Sequence, residues 1–128
     1  LDSITGRINW KQKINSNLRP TLVENYIFTV SLEGYLIVIE KMTGNIIRIS
    51  DIFKNIKPKK RLKIKPTGFV MGGNNIYLTT DHGRLLTIDI KSGTTQSSIK
   101  IDNNKVSRPL VLKQNLFIIT DNSIIKLD

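Results

Sequence analysis

Four carboxylates occupy similar places along the sequence, each directly after Leu or Ile. They are Asp2, Glu40, Asp89 and Asp128. Converging carboxylates can hold Ca²⁺ or act as a general base, which raises the question of a catalytic or metal site. A carboxylate before a glycine turn usually accepts backbone N–H bonds, however, and equivalent positions in successive repeats lie on a ring rather than around one centre. The pattern therefore favours structural turn residues and predicts no catalytic, metal or cofactor-binding residue.

The single histidine, His82, follows Asp81 and precedes Gly83. A dyad with Asp81 would be a general base, but adjacent turn residues rarely point at each other, and no Ser or Cys nucleophile is indicated. We interpret His82 as a solvated turn residue. The run Gly72-Gly73-Asn74 lacks the following helix and Lys-Ser pair of a phosphate loop, so it predicts a hairpin turn.

Basic residues are concentrated in one segment of a chain whose net charge is +10. Seven of the 20 Lys and Arg residues fall between residues 54 and 65, with no acidic residue among them. We call residues 51–65 the basic insertion. Ser50 or Asp51 could cap a helical turn there, which Pro58 would end, and Leu62 and Ile64 alternate with basic residues as in a short strand. The inward side chains of that turn would be Ile52, Phe53 and Ile56.

The composition of the basic insertion allows two interpretations of its function. One interpretation is a long connection with a solvated charged face. Another is a contact site for an acidic protein surface or for anionic lipid headgroups. Nucleic acid is not expected as a partner, because Phe53 is the only aromatic side chain in the basic run and no nucleic-acid motif is present. The predicted partner-binding residues are Lys57, Lys59, Lys60, Arg61 and Lys63.

The elements that position these residues are predicted to be strands. Alanine and cysteine are absent, isoleucine is abundant, and short apolar runs are separated by Gly, Asn and Asp turns. These features favour strands over helices and leave no disulfide or thiolate metal site. In Pro66–Gly93 three short strands are joined by tight turns and a fourth follows, which is the meander of one propeller blade.

The same unit recurs along the chain. A residue pair Arg-Pro or Lys-Pro opens each unit, and a Thr-Gly or Ser-Gly pair follows the acidic residue, at intervals of roughly 40–50 residues. The sequence therefore predicts an all-β fold: a β-propeller segment of about three four-stranded antiparallel blades in an incomplete ring. The predicted division of the single segment is 1–14 for the fourth strand of a preceding blade, 19–50 for blade one, 51–65 for the basic insertion, 66–101 for blade two, and 108–128 for three strands of blade three.

This division has a consequence for assembly. The chain begins with an unpaired fourth strand, 7–14, and ends with a blade that lacks one, whereas propellers use about four to eight blades. The sequence thus predicts either part of a larger ring or two copies that close head to tail.

The first ten residues, LDSITGRINW, resemble the repeat signature of the pyrroloquinoline-quinone-type β-propellers, with Asp2, Thr5-Gly6 and Trp10 matching. The resemblance implies quinoprotein-like repeats in which the glycine forms the turn before the fourth strand and the Trp packs between blades. Arg48 and Ser97 stand where later units would have Trp. The glycines and Trp expected to maintain the repeat are Gly6, Trp10, Gly34, Gly44, Gly83 and Gly93.

Among members of that family, the order of the markers is most similar to the propeller lipoproteins of the outer-membrane β-barrel assembly machinery, with this chain matching a C-terminal portion. The resemblance implies a non-enzymatic, cofactor-free protein-interaction scaffold in the periplasm, whose partner is an outer-membrane assembly component. It places any lipid anchor upstream and any other membrane contact at the periphery. The alternative is a fragment of a quinone-dependent dehydrogenase, which would need Ca²⁺ and the quinone.

Overall fold

The computed structural model describes residues 8–102, 106–120 and 123–127, and within them the chain forms three antiparallel β-sheets and one short helix. Isoleucine, valine and threonine, which fit the pleated surface of a half-buried strand, supply many of the strand residues. The three sheets formed by these residues do not close into a ring. The all-β architecture predicted from the sequence is confirmed.

The first two sheets have four strands each, arranged in chain order. The first sheet consists of β1 (Thr21–Val23), β2 (Tyr26–Val30), β3 (Tyr35–Glu40) and β4 (Ile46–Asp51). The second sheet consists of β5 (Pro66–Gly72), β6 (Asn75–Thr80), β7 (Arg84–Asp89) and β8 (Thr95–Lys100). Each is a meander in which every strand pairs with the next one along the chain, because the connecting turns are too short for a crossover.

The third sheet has three strands, β9 (Leu110–Leu112), β10 (Asn115–Ile119) and β11 (Ile124–Leu127), with β10 in the middle. Within the described ranges no further strand pairs with β11. In the three sheets the observed strands are short and joined by tight turns, as the alternation of apolar residues and the turn residues between them predict.

Two apolar cores lie between consecutive sheets. The larger one joins the first and second sheets, and Val30, Leu36, Ile76 and Leu78 in it are fully buried. The smaller one joins the second and third sheets, where Leu85 packs with Val106, Leu116 and Ile118. Alternate residues of a strand point to opposite faces, so the second sheet contributes one set of side chains to each core. The sheets therefore stack face to face in chain order.

Polar side chains also join consecutive sheets. Trp10 Nε1 donates to the Lys41 carbonyl at 2.7 Å, and Arg48 donates to the carbonyls of Ile90 and Lys91 at 2.6 and 2.7 Å. Arg108 Nε donates to the carbonyl of Phe69 at 3.2 Å. The bonds from Arg48 and Arg108 fix the position of one sheet against the next, and the bond from Trp10 fixes residues 8–14 against the first sheet.

Residues 8–14 lie beside the first sheet, with Gln12 Nε2 donating to the Gly44 carbonyl at 2.8 Å. They form no ladder with the other described residues. A strand needs a neighbouring strand to pair with, and the strands predicted to pair with 7–14 would precede Leu1. The assignment of 1–14 to a preceding blade stays a prediction, and residues 1–7 lie outside the described ranges.

The basic insertion differs from its predicted local structure. Strand β4 runs on to Asp51, and the only helix described, α1, spans Pro58–Arg61, so Pro58 begins the helix instead of ending one. Proline suits the first helical position because its missing N–H would have no intrahelical acceptor there. The predicted strand at Leu62 and Ile64 is also absent from the described structure. Ile52 and Phe53 are buried, as predicted.

Candidate functional site

The basic insertion presents its lysines to solvent while its apolar residues hold it against the sheets. Phe53 is completely buried, and its ring lies against the turn at Gly34. Thr95 Oγ1 of β8 donates to the Ile52 carbonyl at 2.8 Å, which joins the insertion to the second sheet. The lysines of the insertion that are exposed are Lys54, Lys57, Lys59, Lys60, Lys63 and Lys65. Four of the five predicted partner-binding residues are among them.

Arg61, the fifth, is engaged within the chain. Its guanidinium forms a bidentate pair with the Asp51 carboxylate at 2.7 and 2.8 Å, and it also donates to the Glu33 carbonyl. It lies 5.2 Å from the centre of the Tyr35 ring, within range for a cation–π interaction. The hydrogen bond to Asp51 and the charge of that carboxylate raise the pKa of Arg61 above its usual value. Arg61 therefore positions the insertion on the first sheet.

A cavity of about 440 Å³ separates the basic insertion from the outer strands of the second sheet. We call it the insertion groove. Its apolar lining comes from both sides: Ile52, Ile56 and Ile64 of the insertion face Leu86 of β7. The other wall is formed by polar residues of β8, namely Thr95, Gln96, Ser97 and Ser98.

The charged residues that line the insertion groove all have the same sign. They are Lys57, Lys60 and Arg84, and no Asp or Glu is among the lining residues. Arg84 Nη1 lies 3.3 Å from Ser98 Oγ, so the guanidinium is held over β8. Arg84 was not among the predicted partner-binding residues, because it lies far from the basic insertion in sequence and its position in β7 gives no signal of its own. Only the packing of the insertion beside β7 brings the three cations together.

The histidine turn departs from its predicted geometry. His82 Nδ1 lies 2.8 Å from Asp81 Oδ1, so the two adjacent side chains do contact each other, contrary to expectation. The same Oδ1 accepts the Lys65 backbone N–H at 2.9 Å, and Asp81 N donates to the Lys65 carbonyl at 3.0 Å. Asp81 thus ties the hairpin turn to the strand that enters the second sheet, and His82 contacts it at the surface.

The two described repeat carboxylates act as turn residues, as predicted. Glu40 Oε1 accepts from Thr43 Oγ1 at 3.0 Å, and Asp89 Oδ2 accepts from the N–H and the hydroxyl of Ser92 at 3.0 and 2.8 Å. These bonds from Ser92 lower the pKa of Asp89 below its usual value. Asp2 and Asp128 lie outside the described residues.

The turn glycines have backbone conformations that explain their residue type. Gly34, Gly44, Gly83 and Gly93 have φ values of +96°, +75°, +72° and +70°. Residues that carry a side chain rarely adopt positive φ values. A Cβ on Gly44 would also collide with the indole of Trp10. Gly73, in the predicted hairpin turn, has φ of +59°. Gly6 is not among the described residues.

No group of three or more His, Asp or Glu side chains in ranges 8–102, 106–120 and 123–127 is arranged to hold a metal ion. None of the helical structure described there is long and apolar enough to cross a membrane.

Comparison with known proteins gives matches at the level of structure. No family model matches the sequence, and no curated protein matches it. The structure of BamB from Moraxella catarrhalis superposes with a TM-score of 0.73 and 17% identity over 98% of this chain and 36% of that one. The Cps50 (Swd1) β-propeller domain from Myceliophteria thermophila gives a TM-score of 0.64 and 15% identity over 81% and 34% of the two chains. The fold is a segment of a β-propeller.

In this propeller segment each of the three sheets is one blade, and the insertion groove lies between the outer strands of one blade and the connection from the blade before it. The chain spans about a third of the length of the two structures that it matches. The segment therefore corresponds to an arc of the propeller in those structures. At 15–17% sequence identity, the similarity shows the fold alone.

Proposed function

We propose that this chain is a non-enzymatic protein-interaction scaffold whose basic insertion binds an acidic surface of a protein partner. The observation that carries the proposal is the exposure of the insertion's lysines while Phe53 and Arg61 hold the same segment against the first sheet. A charged segment that is held in one conformation loses little conformational entropy on binding, which favours a specific contact over a merely solvated loop.

We further propose that the scaffold acts in outer-membrane protein assembly in the periplasm, with an assembly component as its partner. The repeat markers support this, because their order resembles that of the propeller lipoproteins of the β-barrel assembly machinery. The superposition on BamB over nearly the whole chain agrees with the same interpretation. Membrane contact would then be peripheral or through a lipid anchor upstream of Leu1.

The test of this function expresses the protein in a bacterium that has an outer membrane. Lys57, Lys59, Lys60 and Lys63 are replaced by Ser, and co-purification with the outer-membrane assembly machinery is measured. We expect co-purification to fall and to become less dependent on salt, since exposed charge pairs are screened by ions. The matched control replaces Lys11, Lys13, Lys41 and Lys91, four exposed lysines outside the insertion. Equal co-purification of the wild type and the insertion variant would refute the role of the insertion, and absence of the wild type from the machinery would refute the assembly role.

A second proposal concerns self-association of this 128-residue segment. Among the residues that the structure describes, the third sheet has three strands where the others have four, and the side chains of Leu112, Ile119 and Ile124 on it are exposed. We propose that residues 7–14 of one copy pair with β11 of another, so that two copies close head to tail. Light scattering on the purified segment should then give twice the monomer mass, and deletion of residues 7–14 should give the monomer. A stable, folded monomer of the intact segment would contradict this proposal.

A further inference from the structure

The insertion groove combines an apolar floor with a cationic rim. The floor residues Ile52, Ile64 and Leu86 are almost completely buried, and Ile56 is half-buried beside them. The cavity of about 440 Å³ is within the size range of sites that take a ligand group of several heavy atoms. An apolar side chain in this space would exclude water from the floor, which is the main source of binding free energy for such a contact.

The rim selects for the charge of the occupant. Lys57 and Lys60 stand on the insertion side and Arg84 on the sheet side, and no carboxylate among the lining residues neutralises them. Cations on both walls attract an occupant that has carboxylates on both sides of its apolar group. A purely apolar occupant would leave these charges partly desolvated and without counter-charges, which is unfavourable.

The wall formed by β8 favours a polypeptide over a lipid. Strand β8 is the last strand of its sheet, and no described strand pairs with it on the side away from β7. Its residues at this wall include Thr95, Gln96 and Ser98, whose hydroxyl and amide groups form hydrogen bonds with peptide groups. Acyl chains offer no hydrogen-bonding groups to such a wall.

We infer that the insertion groove is the docking site for an extended acidic peptide segment of a protein partner, with one apolar side chain seated on the floor and flanking Asp or Glu side chains at the rim. This inference rests on the proposed function and makes it specific: of the exposed lysines, Lys57 and Lys60 bind the partner together with Arg84. Lys59 and Lys63 contribute only through the general electrostatic field.

The test uses a short fluorescent peptide with one central Leu flanked by Asp and Glu, and its binding to the purified chain is followed by anisotropy. The rim variant carries Lys57→Glu, Lys60→Glu and Arg84→Glu. The control variant carries Lys59→Glu, Lys63→Glu and Lys91→Glu, which changes the net charge equally at exposed positions outside the groove. We expect the rim variant to lose about tenfold or more in affinity and the control variant about threefold or less. A peptide with Asn and Gln in place of the acids should bind to the wild-type protein as weakly as the acidic peptide binds to the rim variant.

Other outcomes separate this inference from the broader function. Equal losses of peptide affinity in the rim and control variants would overturn the inference that the groove is the docking site, but would leave the general binding of acidic partners intact. If both variants bind the outer-membrane machinery as tightly as the wild type does, the groove inference and the proposed function are both overturned. Stronger binding to vesicles containing anionic lipid than to the peptide would assign the groove to lipid instead. Amide chemical shifts of the wild-type protein provide a readout without mutation: addition of peptide should perturb Ile56, Lys60, Gln96 and Ser98, and perturbation confined elsewhere would refute the site.

Discussion

The guanidinium of Arg48 donates to the Ile90 carbonyl of the next sheet at 2.6 Å, in the place where the repeat signature would have Trp. Trp10, four residues after Gly6, donates to Lys41, and Arg48, four residues after Gly44, donates to Ile90 and Lys91. Two different side chains at the same repeat position thus bind main-chain carbonyls of the same turn in successive sheets. In these two units the hydrogen-bond donor keeps its position while its residue type changes from the indole of Trp10 to the guanidinium of Arg48.

Replacement of Arg48 by Met tests this contact. The variant keeps the aliphatic stem and removes the donors to the two carbonyls of the next sheet. Because hydrogen bonds from a charged donor contribute more than neutral ones, we expect the free energy of unfolding to fall by about 2 kcal/mol. Urea denaturation measures the change, with Arg19→Met at an exposed position as the control. Equal stability of the two variants would show that the contact does not join the sheets.

Gly34→Ala should destabilise the protein through backbone strain and through a steric clash in the core. Gly34 has φ of +96°, and an added Cβ would collide with the ring of Phe53. We expect a loss of about 2–4 kcal/mol, from left-handed backbone strain and overpacking together. Gly73→Ala is a matched control, because Gly73 has φ of +59° and no atom within 4 Å of the added Cβ. The control should lose only about 1–2 kcal/mol. Thermal or urea unfolding gives both values, and a reversed order would contradict the packing of Phe53 under this turn.

Arg61 and Asp51 should show energetic coupling. Their side chains are only 22% and 33% exposed and form a bidentate pair, so they are less screened than a pair at the open surface. A double-mutant cycle with Arg61→Ala and Asp51→Ala should give a coupling free energy of about 1 kcal/mol. The single variant Arg61→Ala should also loosen the basic insertion, which amide hydrogen exchange in residues 52–65 would detect. A coupling near zero with unchanged exchange would mean that Phe53 alone holds the insertion in place.

The lowered pKa of Asp89 predicts a specific dependence of stability on pH. The bonds from Ser92 lower the native pKa below the unfolded value, so the unfolded state takes up a proton at higher pH than the native state does. The contribution of Asp89 to stability is therefore complete above about pH 4 and is lost as the pH falls through the native pKa. Asp89→Asn removes this dependence, so the stability difference between wild type and variant should shrink on acidification below about pH 4. Carbon-13 NMR titration of the carboxyl group measures the pKa directly, and a value at or above the ordinary one for Asp would contradict the turn geometry.

Much of the fold could be predicted because its signals are local. Alternation of apolar residues in β2 and β6 locates these strands, and glycines such as Gly34 and Gly83 mark the hairpins, since both signals depend on neighbouring residues. The turn role of Glu40 and Asp89 is local in the same way, because their hydrogen-bond partners are three residues away.

The basic insertion could be predicted only in part. Its charge and the inward direction of Ile52 and Phe53 follow from residue type. The position of α1 does not, because Pro58 is compatible with either end of a short helix and the choice depends on how residues 52–56 pack. The contact between His82 and Asp81 was missed for a similar reason: a turn's exact dihedral angles decide whether adjacent side chains meet.

The sequence alone determined that the chain is a series of antiparallel meanders with an exposed basic insertion, because strand periodicity, turn glycines and charge are written in consecutive residues. Only the tertiary structure decided that Arg61 is used internally and that Arg84 joins Lys57 and Lys60 around one groove. Those relationships join residues that are distant along the chain. They depend on the stacking of one sheet against the next, which no local pattern specifies.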